Sequence, residues 1–245
     1  MRALEYYHLI LMRITKMNNF RNLKNKKDKR DYLKENYFNK SIYCVTAEDF
    51  SKGRNNIEVV GSMLEAGIKI IQYREKENPK KYMREKYEEC VKIREMTKKS
   101  NALFIVDDYA DLALAVDADG VHIGQNDMPI EVVRKIVGED IIIGLSTKNA
   151  KEANEAFNSS ADYIGIGPIF DTNTKIDANS AVGIEYLDYI AKNIDMPFVC
   201  IGGIKLSNMD LLIEHNAKCL CMLTEIVASD DIKNKCETLI RKMHS

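Results

Sequence analysis

From Ile42 onward, short runs of β-branched and other apolar residues alternate with longer stretches whose apolar positions recur every three or four residues. The short runs predict strands over Ile42–Thr46, Ile68–Tyr73, Leu103–Asp107, Gly120–Ile123, Ile141–Leu145, Tyr163–Gly167, Phe198–Gly202 and Cys219–Leu223. The longer stretches predict helices over Asn56–Ala66, Pro79–Lys99, Pro129–Val137, Ala150–Phe157, Ile184–Asn193, Ser207–Glu214 and Asp231–Met243, with a short one over Tyr109–Val116. Pro79 and Pro129 read as first-turn prolines, and Ser207 and Asp230 or Asp231 as N-caps.

Eight apolar runs, each followed by a helix, point to parallel βα units. Strands that read as near-continuous apolar runs suit a sheet covered on both faces. The expected fold is therefore α/β, a single (β/α)8 TIM barrel over residues 41–245, with a doubly wound sheet as the alternative. No linker or low-complexity stretch interrupts that region.

Composition changes this picture only at the N-terminus. At 245 residues and 45% hydrophobic the chain can bury a sizeable core, and no apolar run reaches the roughly 18 residues of a membrane helix. Leu9–Met12 lacks a small-residue cleavage site, so no secretory signal is expected. The six cysteines are scattered, without CxxC or paired-histidine spacing, and are expected as reduced core thiols in a cytoplasmic protein rather than a zinc site. Residues 1–40 carry 11 Lys and Arg against 4 Asp and Glu, whereas residues 41–245 carry 25 against 33. That basic N-terminal extension has the charge for nucleic acid but not the glycine or aromatic interleaving of RNA-binding arms. A solvated, partly disordered or partly helical segment is expected there, or residues upstream of a start at Met17, and nucleic acid is not expected as a partner.

The candidate chemistry lies where strands end, the catalytic rim of such a barrel. Asp162–Lys175 runs from a strand through Gly165, Gly167 and Pro168 into Thr172, Asn173, Thr174 and Lys175, a layout suited to an anionic substrate. The second strand ends in Gln72-Tyr73-Arg74-Glu75-Lys76, and alternation aims Gln72, Arg74 and Lys76 at one face. Asp107 and Asp108 end the third strand, and Asp127 follows a glycine turn after the fourth. Asp108 and Asp127 on neighbouring loops could hold one Mg²⁺ completed by substrate phosphate oxygens; equally, each could cap the helix that follows it. His122, within an apolar strand, reads as a packed histidine. Ser146 and Thr147 follow the fifth strand, Gly202-Gly203 the seventh, and Leu223-Thr224 the eighth. Loops after the last two strands commonly bind phosphate through backbone amides.

In this order, Gln72–Lys76, Asp107-Asp108 with Asp111-Leu-Ala, Gly120–Asp127, Gly144-Leu-Ser-Thr, Asp162–Lys175 and Ile201-Gly-Gly-Ile204 resemble the thiamine-phosphate synthase (thiamine-phosphate pyrophosphorylase) family over about residues 41–240. The resemblance implies a (β/α)8 barrel and a Mg²⁺-dependent transferase. It would join hydroxymethylpyrimidine diphosphate to a thiazole phosphate and release diphosphate by way of a pyrimidine cation. It also implies catalytic roles for Arg74, Ser146 and Lys175, and Mg²⁺ held by Asp108 and Asp127. Pyrimidine diphosphate contacts would come from the segment Gln72, Tyr73, Arg74, Glu75 and Lys76 with Asp107, and diphosphate contacts from Ser146 and Lys175. Thr172, Asn173 and Thr174 would meet the thiazole, with Gly203, Leu223 and Thr224 around its phosphate. A homo-oligomer is compatible with the sequence, which marks no interface.

The chain departs from the family's pattern in places. Asp107 stands for an asparagine, Tyr109 for a frequent arginine, Asp171 for a proline, Lys148 for a frequent histidine and Cys219 for a common glycine. Asp107 adds a negative charge beside the expected pyrimidine. A related thiazole tautomerase would need a proton-transferring histidine at position 148, where this chain has lysine. A non-catalytic sensor on the same barrel is the third reading, supported by Asp107 and the basic extension alone.

Overall fold

The computed structural model describes residues 19–23, 25–75, 81–172 and 180–245. Parallel strands β1 (Ser41–Val45), β2 (Ile70–Tyr73), β3 (Leu103–Asp107), β4 (Gly120–Ile123), β5 (Ile142–Thr147), β6 (Tyr163–Ile166), β7 (Phe198–Cys200) and β8 (Cys219–Met222) close in sequence order, with β8 pairing back onto β1. Helices between them cover the outside, so the closed barrel replaces the doubly wound alternative. The limits of β3 and β4 match expectation, and those of the other strands differ by at most two residues at either end. Ser146 and Thr147 lie within β5 rather than after it, because they stay in register with Gly165 and Ile166 of β6. Asp231 caps the helix Ile232–His244 by accepting from the Asn234 amide at 3.0 Å. Asn208, not Ser207, sits at the N-cap position of Met209–Glu214, and Pro129 precedes Ile130–Val137 by one residue. The predicted first-turn proline Pro79 lies outside the described residues; the helix there runs Met83–Ser100.

Strand alternation sorts the core into two clusters. Ile42, Cys44, Ile71, Tyr73, Phe104, Val106, Ile143, Ile164 and Met222 face the helices. Tyr43, Val45, Ile70, Leu103, Ile105, Ile142, Tyr163, Val199, Cys219 and Cys221 fill the barrel interior. All six cysteines are buried free thiols, and no described helix is long and apolar enough to cross a membrane.

The basic extension is not a solvated segment where it is described. Residues 25–40 carry the helix Lys26–Asn36, capped by Asn25, and its Leu33 joins Phe20, Tyr37 and Phe38 in the interior cluster. Together they close the barrel floor. The basic side chains serve this docking. Lys29 Nζ donates to the Glu139 carbonyl at 2.8 Å, Arg30 Nη2 to the Ala161 carbonyl at 2.7 Å, and Arg21 Nη1 to Asp117 at 2.7 Å. Their acceptors lie just ahead of strands β4, β5 and β6. Asp119 and Asp162 complete the floor. Each accepts a backbone amide from the preceding strand, Phe104 and Ile143 respectively, and each is paired with a buried arginine, Arg94 or Arg134. Positive charge alone suggested solvation; the apolar residues at 33 and 37, one helical turn apart, were the contrary signal.

Leu33 is fully buried, so Leu33→Ala is expected to destabilise the fold by about 2–5 kcal/mol in denaturant unfolding. A loss below about 1 kcal/mol would show that the floor does not depend on this helix.

Candidate active site at the barrel mouth

The pleat decides which strand-end residues reach the mouth. Gln72 on β2 and Arg74 just beyond its end point inward. Gln72 Nε2 donates to Asp107 Oδ1 at 3.3 Å, and Arg74 Nε lies 3.5 Å from Asp107 Oδ2. Tyr73 and Glu75, one residue out of phase, face the helices instead. Tyr73 Oη donates to Glu89 at 2.7 Å, and Glu75 accepts from Asn56 Nδ2 at 2.8 Å and the Glu48 amide at 3.1 Å. Burial pushes the Glu75 carboxyl above the usual range, opposed by those two donors. The side chains of Tyr73 and Glu75 thus anchor the segment from behind the rim. Lys76 lies outside the described residues. Thr46, fully buried, holds the same segment from β1, its hydroxyl accepting from the Arg74 amide at 2.9 Å.

Asp107 and Asp108 end β3 beside β4. Asp108 has a left-handed backbone (φ 61°), a conformation uncommon outside glycine, and its amide donates to the His122 carbonyl at 2.8 Å. Asp127 folds back on its own turn, accepting from the Gly124 amide at 2.7 Å. The N-cap positions of the helices that follow are held by Tyr109 and Pro129, whose own side chains make no cap bond. Two carboxylates therefore stand on adjacent loops at one end of the barrel. Among the described residues no group of three or more His, Cys, Asp or Glu could cage a metal. A two-carboxylate donor set fits Mg²⁺, which retains waters and takes oxygens from substrate phosphate.

On β5 the Ser146 hydroxyl meets His122 Nε2 at 2.9 Å, and Gln125 Nε2 donates to the Ser146 carbonyl at 2.7 Å. The β6 and β7 loops are tied together by the Ile169 amide donating to the Ile201 carbonyl at 2.9 Å and the Phe170 amide to the Gly202 carbonyl at 3.1 Å. Gly202 and Gly203 have φ of 102° and 62°; a Cβ on Gly203 would lie 2.7 Å from the Asp171 carbonyl oxygen. Only glycine allows that approach. It sets Gly203 beside the segment entering Thr172. Asp171 accepts from the Ala181 amide at 3.4 Å, which draws together the two ends of the segment between them. Asn173, Thr174 and Lys175 lie outside the described residues. After β8, Leu223 leads into a short helix, Thr224–Val227, absent from the sequence-based expectation; the Ile226 and Val227 amides both donate to the Leu223 carbonyl at 3.0 Å.

Two departures from the family's pattern acquire partners. Asp107 is held between Gln72 and Arg74, and Tyr109 carries Lys86 Nζ at 4.7 Å from its ring centroid. Sequence reasoning passed over Thr46 and Gln125; His122, read as a packed histidine, is packed in the interior and hydrogen-bonded to Tyr163 and Ser146. The readable signal for His122 was the glycine pair 144 and 165, small residues at inward positions of the next two strands.

Comparison with known proteins follows the same lines. The family model described as thiamine monophosphate synthase matches residues 42–226. The chain is 56% identical over 198 residues to the thiamine-phosphate synthase of Pelotomaculum thermopropionicum, covering 81% of this chain and 89% of that one. It is 54% identical over 200 residues to that of Dictyoglomus turgidum, covering 82% and 88%. The solved thiamine phosphate pyrophosphorylase of Pyrococcus furiosus superposes with a TM-score of 0.76 at 34% identity, covering 85% of this chain and 99% of that one.

The Asp107 carboxylate offsets part of the Arg74 charge. Asp107→Asn keeps the acceptor for Gln72 and removes that offset. It is expected to lower KM for a diphosphate-bearing substrate about three- to tenfold, the scale of one partly buried charge pair. An unchanged or higher KM would mean that Arg74 does not meet the substrate's charge.

Proposed function

The chain belongs to the thiamine-phosphate synthase family, and on that premise we propose how its barrel mouth divides between two substrates. The activity is that of a transferase of thiamine biosynthesis, joining a hydroxymethylpyrimidine to a thiazole phosphate as diphosphate departs. Gln72, Asp107 and Arg74 bind the pyrimidine diphosphate on the β2–β3 side. Asp108 and Asp127 hold Mg²⁺, which when bound neutralises charge developing on the diphosphate. Ser146 and Lys175 supply a hydroxyl donor and a point charge to the same group. Thr172, Asn173 and Thr174 bind the thiazole, and the amides around Gly203, Leu223 and Thr224 take its phosphate.

The chemistry asks little covalent work of the protein. As the carbon–oxygen bond to diphosphate breaks, its electron pair leaves with the oxygen and Arg74, Ser146 and Lys175 meet the growing negative charge. The pyrimidine carbon left electron-poor is attacked by the thiazole nitrogen held opposite it. Closing the barrel interior against water protects that carbon from hydrolysis.

The observation that carries this reading is the bond from the Asp108 amide to the His122 carbonyl. It joins the ends of β3 and β4 and sets two carboxylates on neighbouring loops, on the same rim as Arg74 and Ser146. Diphosphate release is expected only with Mg²⁺ and both substrates present, and release from the pyrimidine diphosphate alone at the full rate would contradict the reading. Asp127→Asn preserves the turn acceptor but weakens the metal site. It should cut turnover about 10–100-fold with an unchanged circular dichroism spectrum; a wild-type rate at low Mg²⁺ would remove Asp127 from the site.

A further inference from the structure

Ser146 is the upper end of a hydrogen-bonded file that runs down through the barrel interior. Its Oγ lies 2.9 Å from His122 Nε2, His122 Nδ1 lies 2.9 Å from Tyr163 Oη, and Tyr163 Oη lies 2.9 Å from Tyr43 Oη. Both tyrosines are wholly buried, and burial pushes both phenols up, so each keeps its proton. The barrel is built around this file. A Cβ on Gly144 would fall 2.2 Å from the Tyr163 ring and 2.4 Å from His122 Nδ1, and one on Gly165 would press on the His122 ring at 3.2 Å. From below, the Phe38 ring packs on Tyr163 at 4.9 Å between centroids.

The file has a direction, and its lower end sets it. Among the described residues, Tyr163 Oη is the hydrogen-bond partner of Tyr43 Oη. A buried phenol proton needs an acceptor, so Tyr43 donates to Tyr163. Tyr163 then sends its own proton to His122 Nδ1. That nitrogen is an acceptor, which places the imidazole proton on Nε2, donated to Ser146 Oγ. The Ser146 proton is left to point at the mouth. The opposite direction would leave the Tyr43 proton to a cysteine sulfur of the interior cluster such as Cys221, a far weaker acceptor than the Tyr163 oxygen.

We propose that Tyr43 and Tyr163 are positioning residues for the reaction: they hold His122 as the Nε2–H tautomer and thereby make Ser146 a hydrogen-bond donor to the departing diphosphate. The inference rests on the assignment of Ser146 to that group. It gives the tyrosines no contact with substrate and moves no proton during turnover. Their effect is to present a donor already turned toward an anion, so that no reorientation is needed as charge develops.

The test is the ring-nitrogen NMR spectrum of the full chain with ¹⁵N-labelled histidine, His122 being assigned by substituting the other histidines, His8, His215 and His244, in turn. The wild-type protein should show His122 protonated at Nε2 and bare at Nδ1; an Nδ1–H form overturns the proposal whatever the variants do. Tyr163→Phe should admit the Nδ1–H tautomer and lower kcat about tenfold, the scale of one hydrogen bond, with KM for the pyrimidine diphosphate within about twofold. Tyr43→Phe, which removes only the directing proton, should act in the same sense and more weakly. Unmoved tautomer and kcat in both variants, with stability alone reduced, would make the file structural and overturn the proposal. A wild-type kcat in Ser146→Ala would instead remove the parent assignment of Ser146.

Discussion

Closing eight parallel strands into a barrel forces every second residue of each strand into the interior, and that alternation organises the whole molecule. It separates the two core clusters, and it decides the chemistry residue by residue. Gln72 and Arg74 reach the mouth beside Asp107, whereas Tyr73 and Glu75 turn outward into a buried network with Asn56 and Glu89. The same alternation lines up His122, Ser146 and Tyr163 on the inside of β4, β5 and β6, with Gly144 and Gly165 opposite them to admit the two rings.

A parallel barrel has two unlike ends, and the chain treats them differently. The mouth gathers carboxylates, an arginine, hydroxyls and left-handed or glycine backbone at Asp108, Gly202 and Gly203. The floor is sealed by Phe20, Leu33, Tyr37 and Phe38, with Arg21, Lys29 and Arg30 on acceptors ahead of the strands. The seal matters for chemistry as well as stability, because hydrogen bonds gain strength in a water-poor interior. The file from Tyr43 to Ser146 spans the distance between these two ends.

Much of this was legible in the residues. The eight-unit rhythm predicted the barrel, and the strand-end polar clusters predicted the rim, because both follow from local patterns of two- and four-residue spacing. What escaped was decided across strands. The tyrosine–histidine–serine file unites residues 43, 122, 146 and 163, and only strand register brings them together. A linear motif does not display its pleat, so the outward anchoring of the Tyr73 and Glu75 side chains was not legible in Gln72–Lys76. The N-terminal helix was read through its charge, while its docking depends on carbonyl oxygens, which no sequence displays. Asp107 looked like an uncompensated charge until Gln72 and Arg74 were seen on either side of it.

The central claim is that one rim gathers metal, cations and amide donors from loops far apart in sequence. The most direct test is a crystal structure of the protein with Mn²⁺ in place of Mg²⁺ and inorganic diphosphate, locating the metal by its anomalous signal. The account predicts one strong site against the Asp108 and Asp127 carboxylates, with diphosphate oxygens completing the shell on the side of Arg74 and Ser146. Metal and diphosphate bound away from the β3 and β4 ends, with those carboxylates left to water, would contradict it.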